Sequence, residues 1–141
     1  MLSVARGSVG RGGLIDWTDE FDRWLNTIDE RADGGDLAAG TVRGLVEAEL
    51  EYLENLDGAP LIDTPTLKAV RQSAQTPVWR LSHPFVPGFA VRLIVWFDGD
   101  VAVVVLFGTD KAQMGDVFYD PVGMRADIAV RRFLTQRKKK G

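Results

Sequence analysis

Residues 89–109 read FAVRLIVWFDGDVAVVVLFGT, two apolar runs rich in β-branched and aromatic side chains on either side of Asp98-Gly99. Asp-Gly is a strong short-range signal for a two-residue hairpin, because both central positions of that turn need positive φ. Strands are therefore expected over residues 89–97 and 101–109. A tight turn sets Phe97 against Asp100, Trp96 opposite Val101, Ile94 opposite Val103 and Arg92 opposite Val105. Alternation along the strand then leaves Arg92 on one sheet face with Ile94, Trp96 and Phe107.

Upstream, residues 77–83 supply a third strand. Residues 61–75 form a connection that the chain anchors with Leu67 and Val70. Before it, Val42, Leu45, Val46, Leu50 and Leu53 repeat at helical spacing within a helix over 41–56. Glu47, Glu51 and Glu54 lie off that stripe, and Asp57-Gly58-Ala59-Pro60 stops it. An earlier helix starts at Thr18, a hydroxyl cap followed by Asp19 and Glu20 where the helix dipole favours acids. Phe21, Trp24, Leu25 and Ile28 form its apolar stripe, and residues 13–17 are a short strand before it. Downstream, a helix over 121–137 turns Ala126, Ala129, Val130 and Phe133 inward. The element order is β-α-α-β-β-β-α: a small antiparallel sheet with two N-terminal helices and one C-terminal helix, in the α+β class. Residues 1–12 are expected as a flexible leader, 13–137 as one domain and 138–141 as a solvated basic tail.

Composition bounds the chemistry. At 141 residues and 45% apolar, the chain suits one domain. It has no cysteine and one histidine, which removes disulfide scaffolds, thiolate metal sites and ordinary zinc sites. The longest apolar stretch is cut by Asp98-Gly99-Asp100, too early to span a bilayer, and the first residues lack the apolar core of a signal peptide, so no membrane partner and a cytoplasmic location are expected. No cofactor is expected: the early glycines follow no strand and precede no Lys-Ser/Thr pair. Net charge is −3, yet residues 1–65 hold 5 Lys/Arg against 14 Asp/Glu (net −9) and residues 66–141 hold 12 against 6 (net +6). Either the basic half carries a working surface, or an acidic helical pair neutralises a basic sheet.

The hairpin's second strand empties into LFGTDKAQMGDVFYD, residues 106–120, which brings Asp110, Lys111, Gln113 and Tyr119 to the exit of the sheet. With Arg92 nearby, these groups make an anion-binding edge. The bland readings are a salt bridge from Arg92 to Asp110 or Asp127, an ordinary loop lysine at 111, and a core-capping tyrosine at 119. His83 before a proline reads as a turn residue more readily than as an acid or base. The glutamates at 47, 49, 51 and 54 read as a solvated helix face.

Taken in order, TDEFDRWL (18–25), VWRLSH (78–83), FAVRLIVWFDG (89–99), FGTDK (107–111), FY (118–119) and ADIAVRRFL (126–134) resemble the RelE/HigB toxins of bacteria and phages, over residues 13–137. The resemblance implies a type II toxin–antitoxin toxin, a metal-independent mRNA interferase that inhibits translation by cutting mRNA on the ribosome, silenced by a cognate antitoxin. In that likeness Arg92 clamps the phosphate, Lys111 neutralises the transition state or acts as base, and Tyr119 stacks on a base or relays a proton. Arg80, Asp110 and Gln113 contact the substrate, Asp110 by orienting Lys111. Arg80-Leu81-Ser82 stands where the family has Glu-Leu-Arg, and whether Arg80 serves the same site depends on which face it occupies. The alternatives are a non-catalytic, ParE-like toxin that binds gyrase, and a phage-borne interaction domain with a decayed site.

Overall fold

A computed structural model of the chain describes residues 4–11, 13–70, 78–82, 87–99, 102–109 and 119–140. In chain order the elements are β1 (Val9–Gly10), β2 (Gly13–Trp17), α1 (Asp19–Asp33), α2 (Leu37–Glu54), β3 (Leu67–Ala69), β4 (Val78–Ser82), β5 (Arg92–Asp98), β6 (Ala102–Thr109) and α3 (Tyr119–Lys140). Thr18 caps α1 as its sequence predicts, its Oγ accepting from the Phe21 N–H at 3.1 Å. The same hydroxyl donates to the Leu106 carbonyl at 2.5 Å, so one side chain starts the helix and ties it to β6. The second helix begins a turn earlier than residue 41, because Asp36 accepts from the Ala39 N–H at 3.0 Å and caps it there.

The six strands lie in the order β1-β2-β6-β5-β4-β3. The expectation of an antiparallel sheet is corrected to a mixed one: β2 runs parallel to β6, with Leu14 beside Ala102 and Trp17 beside Val105. Hairpins announce antiparallel neighbours through local turn residues, whereas this pairing joins residues 88 positions apart and carries no local signal. α1 and α2 cover one face, where Phe21, Leu25, Val46 and Leu50 meet Ile15, Trp17, Leu93, Val95, Val103 and Val105. α3 covers the other, where Val122, Ala126, Val130 and Phe133 meet Ile94, Trp96, Val104, Leu106 and Phe107. The result is helix, sheet, helix: three layers of an α+β domain. Glu49 sits within the buried stripe of α2, seven residues from Val42, and is 2% exposed rather than part of a solvated face.

The hairpin register also differs from expectation. Asp98 pairs with Ala102 and Trp96 with Val104, so the loop is three residues long instead of two. Val103 and Val105 therefore face α1 and α2, not the side of Ile94. A bulge then restores the expected company of Phe107: pairing steps from Val95 opposite Val105 to Ile94 opposite Phe107, leaving Leu106 as the extra residue. Leu106 and Phe107 both pack toward α3. Past the bulge, Arg92 pairs with Thr109, the last residue of β6, and not with Val105.

Residues 4–11, expected within a flexible leader, are folded onto the domain. Val4 is 1% exposed, the Gly7 N–H donates to the Ile15 carbonyl at 2.7 Å, and β1 pairs with β2. Gly10 passes so close to the end of α2 that a Cβ there would lie 2.7 Å from the Glu54 carbonyl oxygen. The backbone needs a glycine at that crossing. At the other end, α3 continues through Lys140, into the segment expected as tail. No helix among the described residues is long and apolar enough to cross a membrane.

Candidate anion-binding site

Register decides which side chains share the α3 face. Arg80 lies opposite Ile94 and Lys68, and Ser82 lies opposite Arg92. Cross-strand partners point the same way, so Lys68, Arg80, Ser82 and Arg92 all stand on the face that carries Ile94 and Trp96. Direct partners have Cβ atoms about 5 Å apart, and diagonal ones such as Arg80 and Arg92 about 7–8 Å. Toward the hairpin this face is apolar and covered by α3. Toward the opposite end, where residues 83–91 join β4 to β5, it becomes polar and cationic.

α3 is oriented by two contacts. The Arg125 guanidinium lies 3.9 Å over the Phe107 ring, and Arg137 Nη1 bonds Asp98 Oδ2 at 2.9 Å. The helix thus runs from the level of Phe107 back toward the hairpin. Its first residue, Tyr119, lies six residues before Arg125, about 9 Å along the axis. The N-terminus, the positive end of the helix dipole, points toward the end of the sheet where Arg92 and Thr109 lie. Arg125 also bonds Glu20, which joins the basic half of the chain to the acidic one.

Electrostatics separates this end from the rest of the surface. Burial, and then the positive charge of Arg92, pull the Arg80 pKa below its ordinary value, and Asp63 offsets only part of this. Two guanidinium groups are held where each raises the other's energy. Arg80, Ser82 and Arg92 are half-buried residues, and Lys68 is exposed. Within them, Ser82 Oγ and Arg92 Nη1 are withdrawn from solvent and have no hydrogen-bond partner among the described residues. Arg92 makes no ion pair with Asp127 or with any other acid among those residues. The arrangement can accept an anion with several acceptor atoms and can stabilise negative charge that grows on it.

Of the sequence-predicted residues, Arg80 and Arg92 are brought together, and the open question about the face of Arg80 is resolved in favour of the shared one. Asp110, Lys111 and Gln113 lie outside the described residues, as does His83. Tyr119 is the first residue of α3, with its side chain outside the description. Lys68 was not anticipated, because its strand is three residues long inside a segment that reads as a connection. Its signal was the alternation Leu67-Lys68-Ala69, in which Leu67 is buried and Lys68 exposed. A second groove, between the start of α1 and α3, is lined by Asp19, Glu20, Arg23 and Arg132 among others. Both signs of charge are present there, which gives no preference for an anion. Comparison with protein-family models, with curated proteins and with solved structures finds no match to this chain.

Proposed function

We propose that this protein is a RelE/HigB-like toxin of a type II toxin–antitoxin system, an endoribonuclease that cuts mRNA on the ribosome without a metal. The observation that carries the reading is the cationic end of the sheet, where Lys68, Arg80 and Arg92 share one face and Arg92 stands opposite Thr109. Thr109 is the residue after which the chain enters Asp110-Lys111. In the proposed reaction the RNA's own 2′-hydroxyl attacks the adjacent phosphorus. A 2′-O–P bond forms, the 5′-O–P bond breaks, and the fragments carry a 2′,3′-cyclic phosphate and a 5′-hydroxyl.

Arg92 and Arg80 hold the nonbridging oxygens and stabilise the added negative charge. Lys111 and Tyr119 are the proposed proton-transfer groups: one takes the 2′-hydroxyl proton and the other protonates the departing 5′ oxygen. The ribosome supplies most of the substrate positioning, which is why a sparse set of side chains is enough. The proposed partners are therefore the ribosome with its mRNA and a cognate antitoxin.

The test is growth arrest with mapped mRNA ends for the wild type against Arg92→Ala and Lys111→Ala. Cleavage in a translating extract, little on naked RNA, and loss in both variants support the proposal. Arrest that survives both substitutions and leaves mRNA intact would favour a gyrase-binding, ParE-like toxin.

A further inference from the structure

We infer that Ser82 and Arg92 form a two-donor seat for one phosphate of a single-stranded RNA backbone, with the Ser82 hydroxyl donating to a nonbridging oxygen. The inference rests on the proposed reading of function. It reverses the meaning of Ser82, which by resemblance alone marks the loss of an arginine.

Three observations carry it. Ser82 and Arg92 are direct partners across β4 and β5, so their side chains leave the sheet side by side on the α3 face. Ser82 Oγ and Arg92 Nη1 are both enclosed and both lack a hydrogen-bond partner among the described residues. Folded proteins leave buried polar atoms in that state rarely, and mostly where a ligand, ion or water completes the set. Finally, the arginine group can only donate and the hydroxyl is free to do so, which calls for a ligand rich in acceptors. Lys68 on the neighbouring strand and Arg80 beside Arg92 make that ligand an anion. A phosphodiester meets the requirement with its two nonbridging oxygens: one for the hydroxyl and one for the guanidinium.

The role makes an unusual joint prediction. If Ser82 were there for the fold, its removal would lower stability. A hydroxyl enclosed without a partner and waiting for a ligand behaves in the opposite way: removing it relieves the folded protein and weakens the ligand.

The experiment uses the full chain as wild type, Ser82→Ala, Ser82→Thr and Arg92→Gln. The probes are a single-stranded RNA tetramer made uncleavable by 2′-deoxy substitution, and inorganic phosphate. Binding is measured across a salt series, and thermal unfolding without ligand. Ser82→Ala is expected to weaken tetramer binding about tenfold, the worth of one hydrogen bond to a charged group. It should leave the slope of log K against log salt unchanged and melt no lower than the wild type. Ser82→Thr retains the hydroxyl and most of the affinity. Arg92→Gln weakens binding and reduces the slope by about 0.7, the value for one lost contact to a single strand.

Wild-type affinity in Ser82→Ala overturns the seat, as does a wild type that binds neither probe, or a Ser82→Ala protein that melts lower without losing affinity. Ser82-dependent binding of both probes by a protein that leaves translating mRNA uncut keeps the seat and sinks the endoribonuclease reading. Cleavage that is unaffected by Ser82→Ala, at unaltered affinity, does the reverse.

Discussion

Arg6 and Arg92 are the same residue type in opposite circumstances. Arg6 reaches from the N-terminal segment to two acids, Nε lying 3.2 Å from Asp16 and Nη1 3.1 Å from Asp19. Burial alone would lower its pKa, but the hydrogen bonds to Asp19 and Asp16, together with the charges of those acids, outweigh burial and raise it. Its charge is matched on the spot, and its work is to hold the first residues against β2 and α1. Arg92 stands across from a serine and near a second arginine, whose own pKa is lowered by burial and by that proximity. One cation is neutralised within the fold, and the other has an enclosed nitrogen with no hydrogen-bond partner among the described residues. The difference teaches that an arginine's role here is read from its neighbours, since both positions are partly buried at the margins of the sheet.

The comparison breaks if the two arginines respond alike. On the proposed function, Arg92→Ala should reduce mRNA cleavage in a translating extract by about a hundredfold or more, as expected for a donor to a transition-state oxyanion. Arg6→Ala should leave cleavage near the wild-type level in the same assay. Thr18→Val probes the scaffold alone: it removes both the cap of α1 and the bond to the Leu106 carbonyl. It should lower stability by about 2 kcal/mol by the denaturant midpoint, without altering the salt dependence of RNA binding.

Arg6→Gln should destabilise by about 1 kcal/mol at most, and by less as salt is raised, because both partners are partly exposed. Arg80→Gln sharpens the contrast through its sign. A folded-state pKa below the unfolded one means that folding disfavours the charged form, so this variant should unfold at an equal or slightly higher midpoint in low salt while binding RNA more weakly. Because a guanidinium stays protonated across the ordinary range, the substitution does what a pH titration cannot.

Most of the elements were legible because their signals are local. Thr18 with Asp19 and Glu20 announces α1, and the stripe from Val42 to Leu53 announces α2. Asp98-Gly99 announces a hairpin, but its register depends on a loop one residue longer than that signal implies and on Leu106, an extra residue that looks like any other valine-or-leucine position in an apolar run. The changed turn moves the partner of Arg92 from Val105 to Gly108, and the bulge moves it one place further, to Thr109 at the end of β6. Val4 gave no sign of burial, since its neighbours are small and polar and its contacts come from distant parts of the chain. Arg92 was singled out in the sequence as a lone cation in an apolar strand, and the structure sets it beside Ser82 and Thr109. Arg80 needed the pairing of β4 with β5 before its face was known, and Lys68 needed β3 to be a strand at all. Asp110, Lys111 and Gln113 lie outside the described residues.

The parallel contact of β2 with β6 sets a timetable for synthesis. Leu14 waits for Ala102, and the hydroxyl of Thr18 waits for Leu106. Translation proceeds at about 5–20 residues per second, so β2 is exposed on the order of ten seconds before β6 exists. Such distant pairings also close slowly once both are present. The cationic face is equally late to assemble: Arg92 takes its place opposite Thr109 only once β6 has been made.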